Sequence, residues 1–456
     1  MSAFLFKDIT LVDERYEVRE GMNILVENGR ICYIDAAEPQ GSGQGSGPAS
    51  DPAGGSASSR AFEGEIYDGR GKVAMPGFFN THSHVPMTLI RGYGEGLSLH
   101  DWLFTRMFPF EALLTDEDCH WGSLLGIAEM LASGTVSFTD MYMHEPGIVR
   151  ALSESGMKAN LAHGYSTRRN DERFADSSAC EGTRFLIGAA KGIPEGRLVA
   201  DASVHAEYTF GDTRIGTEIA EFCETEGLRM QIHLSETKDE HEEAKARRGM
   251  TPTAFFDSCG LFRVPTTAAH CVWIDEGDFD ILAERGVTVA HCPSSNMKLG
   301  SGVAPVAKML EKGIRVSIGT DGAASNNNLN ALEEANLAAL LQKGTTGDPL
   351  ILGPRQLLEL ACRNGALSQG RTDCGSIAVG NRADIVVYDL DAPHLQPVYD
   401  VLSNILFAAG SGDIVMTMID GRVLYRNGEY TTIDIERVMR ETRRIRDEKL
   451  ARLAQK

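Results

Sequence analysis

Gly313-Ile314-Arg315-Val316-Ser317-Ile318-Gly319-Thr320-Asp321 is the stretch that decides the fold. A charged amphipathic segment runs up to Gly313, an apolar run follows at once, and a carboxylate ends it. Glycine just past a helix takes the left-handed cap that other residues resist, and the chain then enters a strand. The same unit occurs four more times. Gly134 precedes Thr-Val-Ser-Phe-Thr-Asp140, and Gly156 precedes Met-Lys-Ala-Asn-Leu-Ala-His163. Gly227 precedes Leu-Arg-Met-Gln-Ile-His233, and Gly286 precedes Val-Thr-Val-Ala-His291. Every run ends in His or Asp, and the C-terminal end of a buried parallel strand is where a β/α barrel holds its catalytic groups. The repetition predicts an α/β protein built on a closed (β/α)8 TIM-like barrel. An open doubly wound sheet would hold the ends of its first and last strands far apart, and the residues below need them as neighbours.

Outside this region the texture changes. Phe4 to Leu11, Met22 to Glu27 and Ile31 to Ile34 read as short strands, with a hairpin turn at Asn28-Gly29. Alternation returns in Asp384 to Asp389 and Ile414 to Ile419, before a turn at Asp420-Gly421. Residues 1–70 and 375–433 are therefore expected to form one smaller β-sandwich domain from both chain ends. The barrel is expected over 71–374 and an exposed terminal helix over 434–456. The Gly/Ser-rich stretch 39–59 lacks the apolar content to offset ordering entropy and reads as a flexible insertion. Thr115 and Asp118 have capping-box spacing ahead of a helix.

The chain has 456 residues and a formal net charge of −20, which repels phosphate backbones and argues against nucleic acid as a partner. No apolar run approaches membrane-spanning length. The nine scattered cysteines contain no Cys-x-x-Cys and suggest reduced thiols in a cytoplasmic protein.

Thr81-His82-Ser83-His84 follows the apolar run Val73 to Phe79. Residues i and i+2 of a strand point the same way, so His82 and His84 can aim two imidazoles at one point. His233 and Asp321, each closing another strand, complete a set of three imidazoles and a carboxylate. That set suits one catalytic divalent ion, with zinc favoured and iron or manganese compatible. A lone His-x-His is weak evidence, and a lone Asp-Gly is usually a turn. Four such groups at strand ends are a stronger signal. Glu236, three residues after His233, is placed to carry protons beside the metal; its bland reading is a first-turn helix acid. His270, ending Thr266-Thr-Ala-Ala-His, would hold the attacking water or else serve as a core histidine.

Pro76-Gly77-Phe78-Phe79-Asn80-Thr81-His82-Ser83-His84, the His233/Glu236 pair, Ala269-His270-Cys271 and Gly319-Thr320-Asp321-Gly322 together resemble the amidohydrolase superfamily. Within it the chain is similar to the methylthioadenosine/S-adenosylhomocysteine deaminase group, with the chlorohydrolases nearby. The resemblance runs from about residue 4 to 433. It implies hydrolytic deamination of an adenine nucleoside: methylthioadenosine, S-adenosylhomocysteine, 5′-deoxyadenosine or adenosine. His82, His84, His233 and Asp321 would bind the metal. Asp321 would take a proton from water, Glu236 would protonate ring N1, and His270 would align the attacking oxygen. Glu111 would read the ribose hydroxyls and His205 would contact the nucleoside. Trp102, Arg173 and Arg184 are expected among the substrate contacts, although Arg168 and Arg169 lie in the same loop region and no arginine aligns by itself. Ser325-Asn326-Asn327 would support the site, and His291 is assigned support rather than ligation.

No lysine ends a predicted barrel strand, which favours one metal over a lysine-bridged pair. The Pro-Cys-x-x-Cys that accompanies His-x-Glu in cytosine-type zinc deaminases is absent. The open alternatives are deamination of guanine, 8-oxoguanine or a pterin, triazine dechlorination, and a non-catalytic scaffold or nucleoside-binding protein. A homo-oligomer is allowed for.

Overall fold

The computed structural model describes residues 3–39, 63–166 and 173–455. Beyond residue 39 the expected insertion lies outside them, as do Arg168 and Arg169.

Eight parallel strands form the barrel, in the order they occur along the chain. They are β1 (Phe78–Ser83), β2 (Thr135–Tyr142), β3 (Lys158–Tyr165), β4 (Ala202–Val204), β5 (Met230–Leu234), β6 (Thr266–His270), β7 (Thr288–His291) and β8 (Arg315–Ile318). All five glycines singled out above have positive φ: Gly134 80°, Gly156 82°, Gly227 67°, Gly286 65° and Gly313 75°. The strands are buried almost throughout, as expected where helices cover the outside and side chains fill the inside. A polar seam brings β8 back to β1. Thr81 Oγ1 donates to the Ile318 carbonyl at 2.8 Å, Asn80 Nδ2 donates to Thr320 Oγ1 at 2.7 Å, and the Asp321 amide donates to the His82 carbonyl at 2.9 Å. The first and last strands are neighbours.

The capping box forms as read: Asp118 N donates to Thr115 Oγ1 at 3.2 Å, and Thr115 N to Asp118 Oδ2 at 2.9 Å. Asn28 and Gly29 turn with φ 51° and 80°, the pair of positive values a tight hairpin needs.

Strands from both chain ends join in a second, nine-stranded sheet with its own apolar core, including Phe6, Ile24, Ile385 and Met416. Lys72–Pro76 belongs to this sheet, pairing with Ala3–Val12 and with Ile385–Asp389. The apolar run Val73 to Phe79 is thus divided between two sheets at Gly77. Because both halves are buried, hydrophobicity alone does not mark the break.

Where the two parts meet, Lys158 at the start of β3 is fully buried. Its Nζ lies 2.6 Å from Asp384 Oδ1 and 2.7 Å from Asp420 Oδ1, which ties barrel to sheet. The terminal helix Ile435–Leu453 is not fully exposed as the sequence suggested. Val438, Thr442, Ile445 and Lys449 are buried, and Lys449 Nζ sits 2.7 Å from Asp118 Oδ2. The lysine stem covers apolar surface while its head finds a carboxylate, so a charged sequence still presents a buried face.

Candidate metal centre and substrate cavity

The strand-end histidines meet at the C-terminal mouth of the barrel. His84 Nδ1 donates to the Met141 carbonyl at 2.5 Å, and His233 Nδ1 donates to the His205 carbonyl at 2.7 Å. A carbonyl only accepts, so each ring carries its proton on Nδ1. The two Nε2 lone pairs then face each other at 3.2 Å, an arrangement a shared cation relieves. His82 Nε2 is buried without a hydrogen-bond partner among the described residues. Asp321 Oδ1 lies 3.3 Å from His84 Nε2 and 3.6 Å from His82 Nε2. Burial holds the His82 and His233 pKa values well below the ordinary range, which favours the neutral, ligating imidazole. These residues fit a divalent cation. Ligand atoms of His82, His84 and His233 lie within 4.8 Å of one another, as do those of His82, His270 and Asp321.

The Asp321 carboxylate is held from behind. Ser295 Oγ and Ser325 Oγ donate to Oδ2 at 2.6 and 2.9 Å, which turns Oδ1 toward the histidines. Burial opposes its ionisation, but the imidazoles of His84, His270 and His82 and the Ser295 hydroxyl keep its pKa well below the usual carboxylate range. Asn326 Nδ2 donates to the Thr320 carbonyl at 2.8 Å and to Glu334 Oε1 at 2.9 Å. Gly319 is required here by contact: a Cβ would stand 2.9 Å from Cys292 Sγ and 3.0 Å from His82 Cβ. His270 and Asp321 both adopt positive φ, 72° and 60°, a cost that non-glycine residues bear where the surroundings fix them.

Glu236 is buried beside the cluster, its Oε2 3.9 Å from His270 Nε2. Burial raises its pKa, against the pull of the neighbouring His270. Burial works against a charge on His270, but the carboxylates of Glu236 and Asp321 outweigh it and raise its pKa.

A cavity of about 930 Å³, including its mouth, opens over these groups. Glu111 and Trp102 line it, on turns at Phe108–Glu111 and Leu99–Trp102. Glu111 is 7% exposed and its Oε1 accepts from Tyr142 Oη at 2.7 Å; burial raises its pKa, opposed by that hydrogen bond. His205 follows β4 and also lines the cavity. Burial, with the neighbouring His84, lowers its pKa to about 4, so it is a neutral imidazole.

Arg173 and Arg184 do not line the cavity. Arg184 stands over the Phe222 ring, 5.8 Å from its centroid. The remaining strand-end groups divide. His163 on β3 faces the cavity, with Nδ1 2.5 Å from Glu145 Oε1. Asp140 on β2 accepts the Val85 amide at 2.6 Å and so braces the turn after His84, a support that sequence reading had not assigned. His291 is buried, and it is in neither ligand cluster.

Fold and centre together define a metal-dependent β/α-barrel enzyme. The chain belongs to the amidohydrolase family, which it matches over residues 73–424. It is 43% identical over 387 residues to the 5′-deoxyadenosine deaminase of Methanosarcina acetivorans, covering 85% of this chain and 89% of that one. It is 40% identical over 437 residues to the 5-methylthioadenosine/S-adenosylhomocysteine deaminase of Acetivibrio thermocellus, covering 94% and 95%. Among solved structures it resembles an adenosine deaminase from Xanthomonas campestris with bound zinc, at TM-score 0.86 and 29% identity over 98% of both chains.

Proposed function

We propose that this chain is a zinc-dependent aminohydrolase that converts an adenine nucleoside to the inosine-type product and ammonia. The observation that carries the reading is a buried carboxylate, Glu111, facing the same cavity as the three-histidine, one-aspartate centre. A free base has no use for it, whereas the vicinal hydroxyls of ribose do. The relatives named as nucleoside deaminases support the same substrate class.

His82, His84, His233 and Asp321 would hold the ion, which when bound supplies a Lewis acid that makes water nucleophilic at neutral pH. Asp321, ionised across the working pH range, accepts the proton from the attacking water. Glu236 enters protonated, as its burial favours, and donates to ring N1, so no full negative charge builds on the purine. His270 holds the attacking oxygen in line with C6. The proton on Asp321 then passes to the amine as the C6–N bond breaks and ammonia leaves, and the proton remaining on the C6 oxygen returns to the Glu236 carboxylate. Glu111 fixes the ribose, His205 contacts the base edge as a neutral imidazole, and Trp102 closes the apolar wall. The free state of all nine cysteines supports the cytoplasm as its location.

The test is ammonia release by zinc-loaded protein from methylthioadenosine, S-adenosylhomocysteine, 5′-deoxyadenosine, adenosine, free adenine, guanine and 8-oxoguanine. Turnover of the nucleosides is expected. Turnover of free bases alone would overturn the substrate assignment and the role of Glu111.

A further inference from the structure

Three catalytic side chains, from three different strands, are held by one short stretch of chain. The helix Pro293–Lys298 and the residues just after it follow β7. Ser295 Oγ donates to Asp321 Oδ2 at 2.6 Å. Asn296 Oδ1 accepts from His270 Nδ1 at 2.8 Å, and Ser301 Oγ donates to Glu236 Oε1 at 3.3 Å. Ser295, Asn296 and Ser301 are themselves 0%, 1% and 3% exposed. The stretch is closed on itself and anchored outside the site: the Ser301 amide donates to the Asn296 carbonyl at 2.8 Å, and Trp273 Nε1 donates to the Ser301 carbonyl at 2.7 Å.

We propose that Ser295, Asn296 and Ser301 act as one positioning unit that sets the relative placement of Asp321, His270 and Glu236. The inference rests on the deaminase reading for the roles of those three groups, but its geometry does not. Buried hydroxyl and amide groups are costly unless bonded, and here each spends a bond on a different catalytic side chain. Asn296 also determines which nitrogen of His270 carries the proton. With Nδ1–H donated to the amide oxygen, Nε2 is left facing Glu236 and the attacking oxygen. Because the three residues share one short, buried and hydrogen-bonded stretch, a shift at one contact is transmitted to the others. A loss at one position therefore already includes part of the loss at the next.

The experiment uses full-length, zinc-loaded protein and the variants Asn296→Ala, Ser301→Ala, their double, and Ser301→Thr. Each alanine variant is expected to lower kcat about 10- to 100-fold, the range seen when groups that orient active-site residues are removed. KM and zinc content stay near wild type. The double variant falls by less than the product of the singles, since the residues act as a unit. Ser301→Thr, which keeps the hydroxyl, recovers most of the rate. Fully multiplicative losses, or a change in KM or zinc content with kcat intact, would overturn the proposal. If Asn296→Ala does not fold, the Ser301 pair still decides it through the rescue by threonine. Nitrogen-15 NMR of histidine-labelled protein reads the unit without turnover: the Nδ1–H form of His270 is expected in wild type and mixed tautomers in Asn296→Ala. Unchanged tautomers would refute the role of Asn296. A wild type that releases no ammonia from any nucleoside would instead defeat the deaminase reading, leaving the NMR result to judge the positioning unit.

Discussion

Replacing Glu111 by glutamine is expected to weaken recognition of ribose selectively. One carboxylate oxygen is already occupied, since Tyr142 Oη donates to Oε1 at 2.7 Å, so Oε2 is the atom left for the sugar. A hydrogen bond to a charged group contributes roughly 1.5–3 kcal/mol. Glutamine keeps one oxygen and loses the charge, so about one such bond is forfeited, which corresponds to a ~10- to 150-fold fall in kcat/KM. The assay compares adenosine with 2′,3′-dideoxyadenosine on wild type and variant. The fall is expected for adenosine and should nearly vanish for the dideoxy compound, which has no hydroxyls to lose. Burial raises the Glu111 pKa, so the acceptor form is lost on acidification at a higher pH than for an ordinary glutamate. KM for adenosine in wild type is therefore expected to rise early as pH falls, and in Glu111→Gln to stay flat. Equal losses on both substrates would show that Glu111 supports the fold around Tyr142 and does not read ribose.

Glu236→Gln is expected to keep stoichiometric zinc and nearly abolish turnover, and substantial activity in the metal-replete variant would sink the proton-carrier role. Lys158→Met would leave Asp384 buried without its cation while Asp420 keeps Arg382 at 3.0 Å, a loss of about 3–5 kcal/mol in stability, read as faster thermal inactivation with unchanged initial kcat; unaltered inactivation would refute the joint. Burial raises the Glu334 pKa from 4.5 to about 7, above its unfolded value. Its contribution to stability is therefore complete below about pH 4.5 and lost as pH rises through 7, a change of ~3 kcal/mol by linkage. Denaturant melts from pH 5.5 to 8 should fall in wild type and flatten in Glu334→Gln; parallel curves would exclude Glu334 as the source.

Much of this was legible in the sequence because it repeats. A glycine that ends a helix and starts a strand must take the left-handed conformation, and all five do. The proposed ligands lie at strand ends because the C-terminal face of a parallel barrel is where its loops open onto a site. What the sequence did not disclose depends on contacts between distant elements. Asp140 reads as one more strand-end acid, yet its carboxylate is spent on the Val85 amide. Asn296 carries no signal of its own, since nothing local tells an asparagine bonded to His270 from one capping its own helix. Arg184 had the right charge and loop, but its helix directs it onto Phe222. A continuous apolar run concealed the change of sheet at Gly77 for the same reason: buried strands from two sheets look alike.

The closing seam explains why the chemistry needs this architecture. His82 and His84 come from the first strand, Asp321 from just beyond the last, some 240 residues away along the chain. The Asp321 amide donates to the His82 carbonyl at 2.9 Å, so the backbone bond that joins the barrel's ends also fixes the distance between these two proposed ligands. An open sheet would have to bring that carboxylate across the full width of the fold. In the barrel it is adjacent, and the serines that turn its second oxygen away follow β7 and β8, the neighbouring strands. Closure and the geometry of the proposed metal centre are therefore consequences of one set of contacts, and a substitution that loosens the seam at Asn80 or Thr81 is expected to lower metal affinity, measured as zinc retained after dialysis, before it lowers anything else.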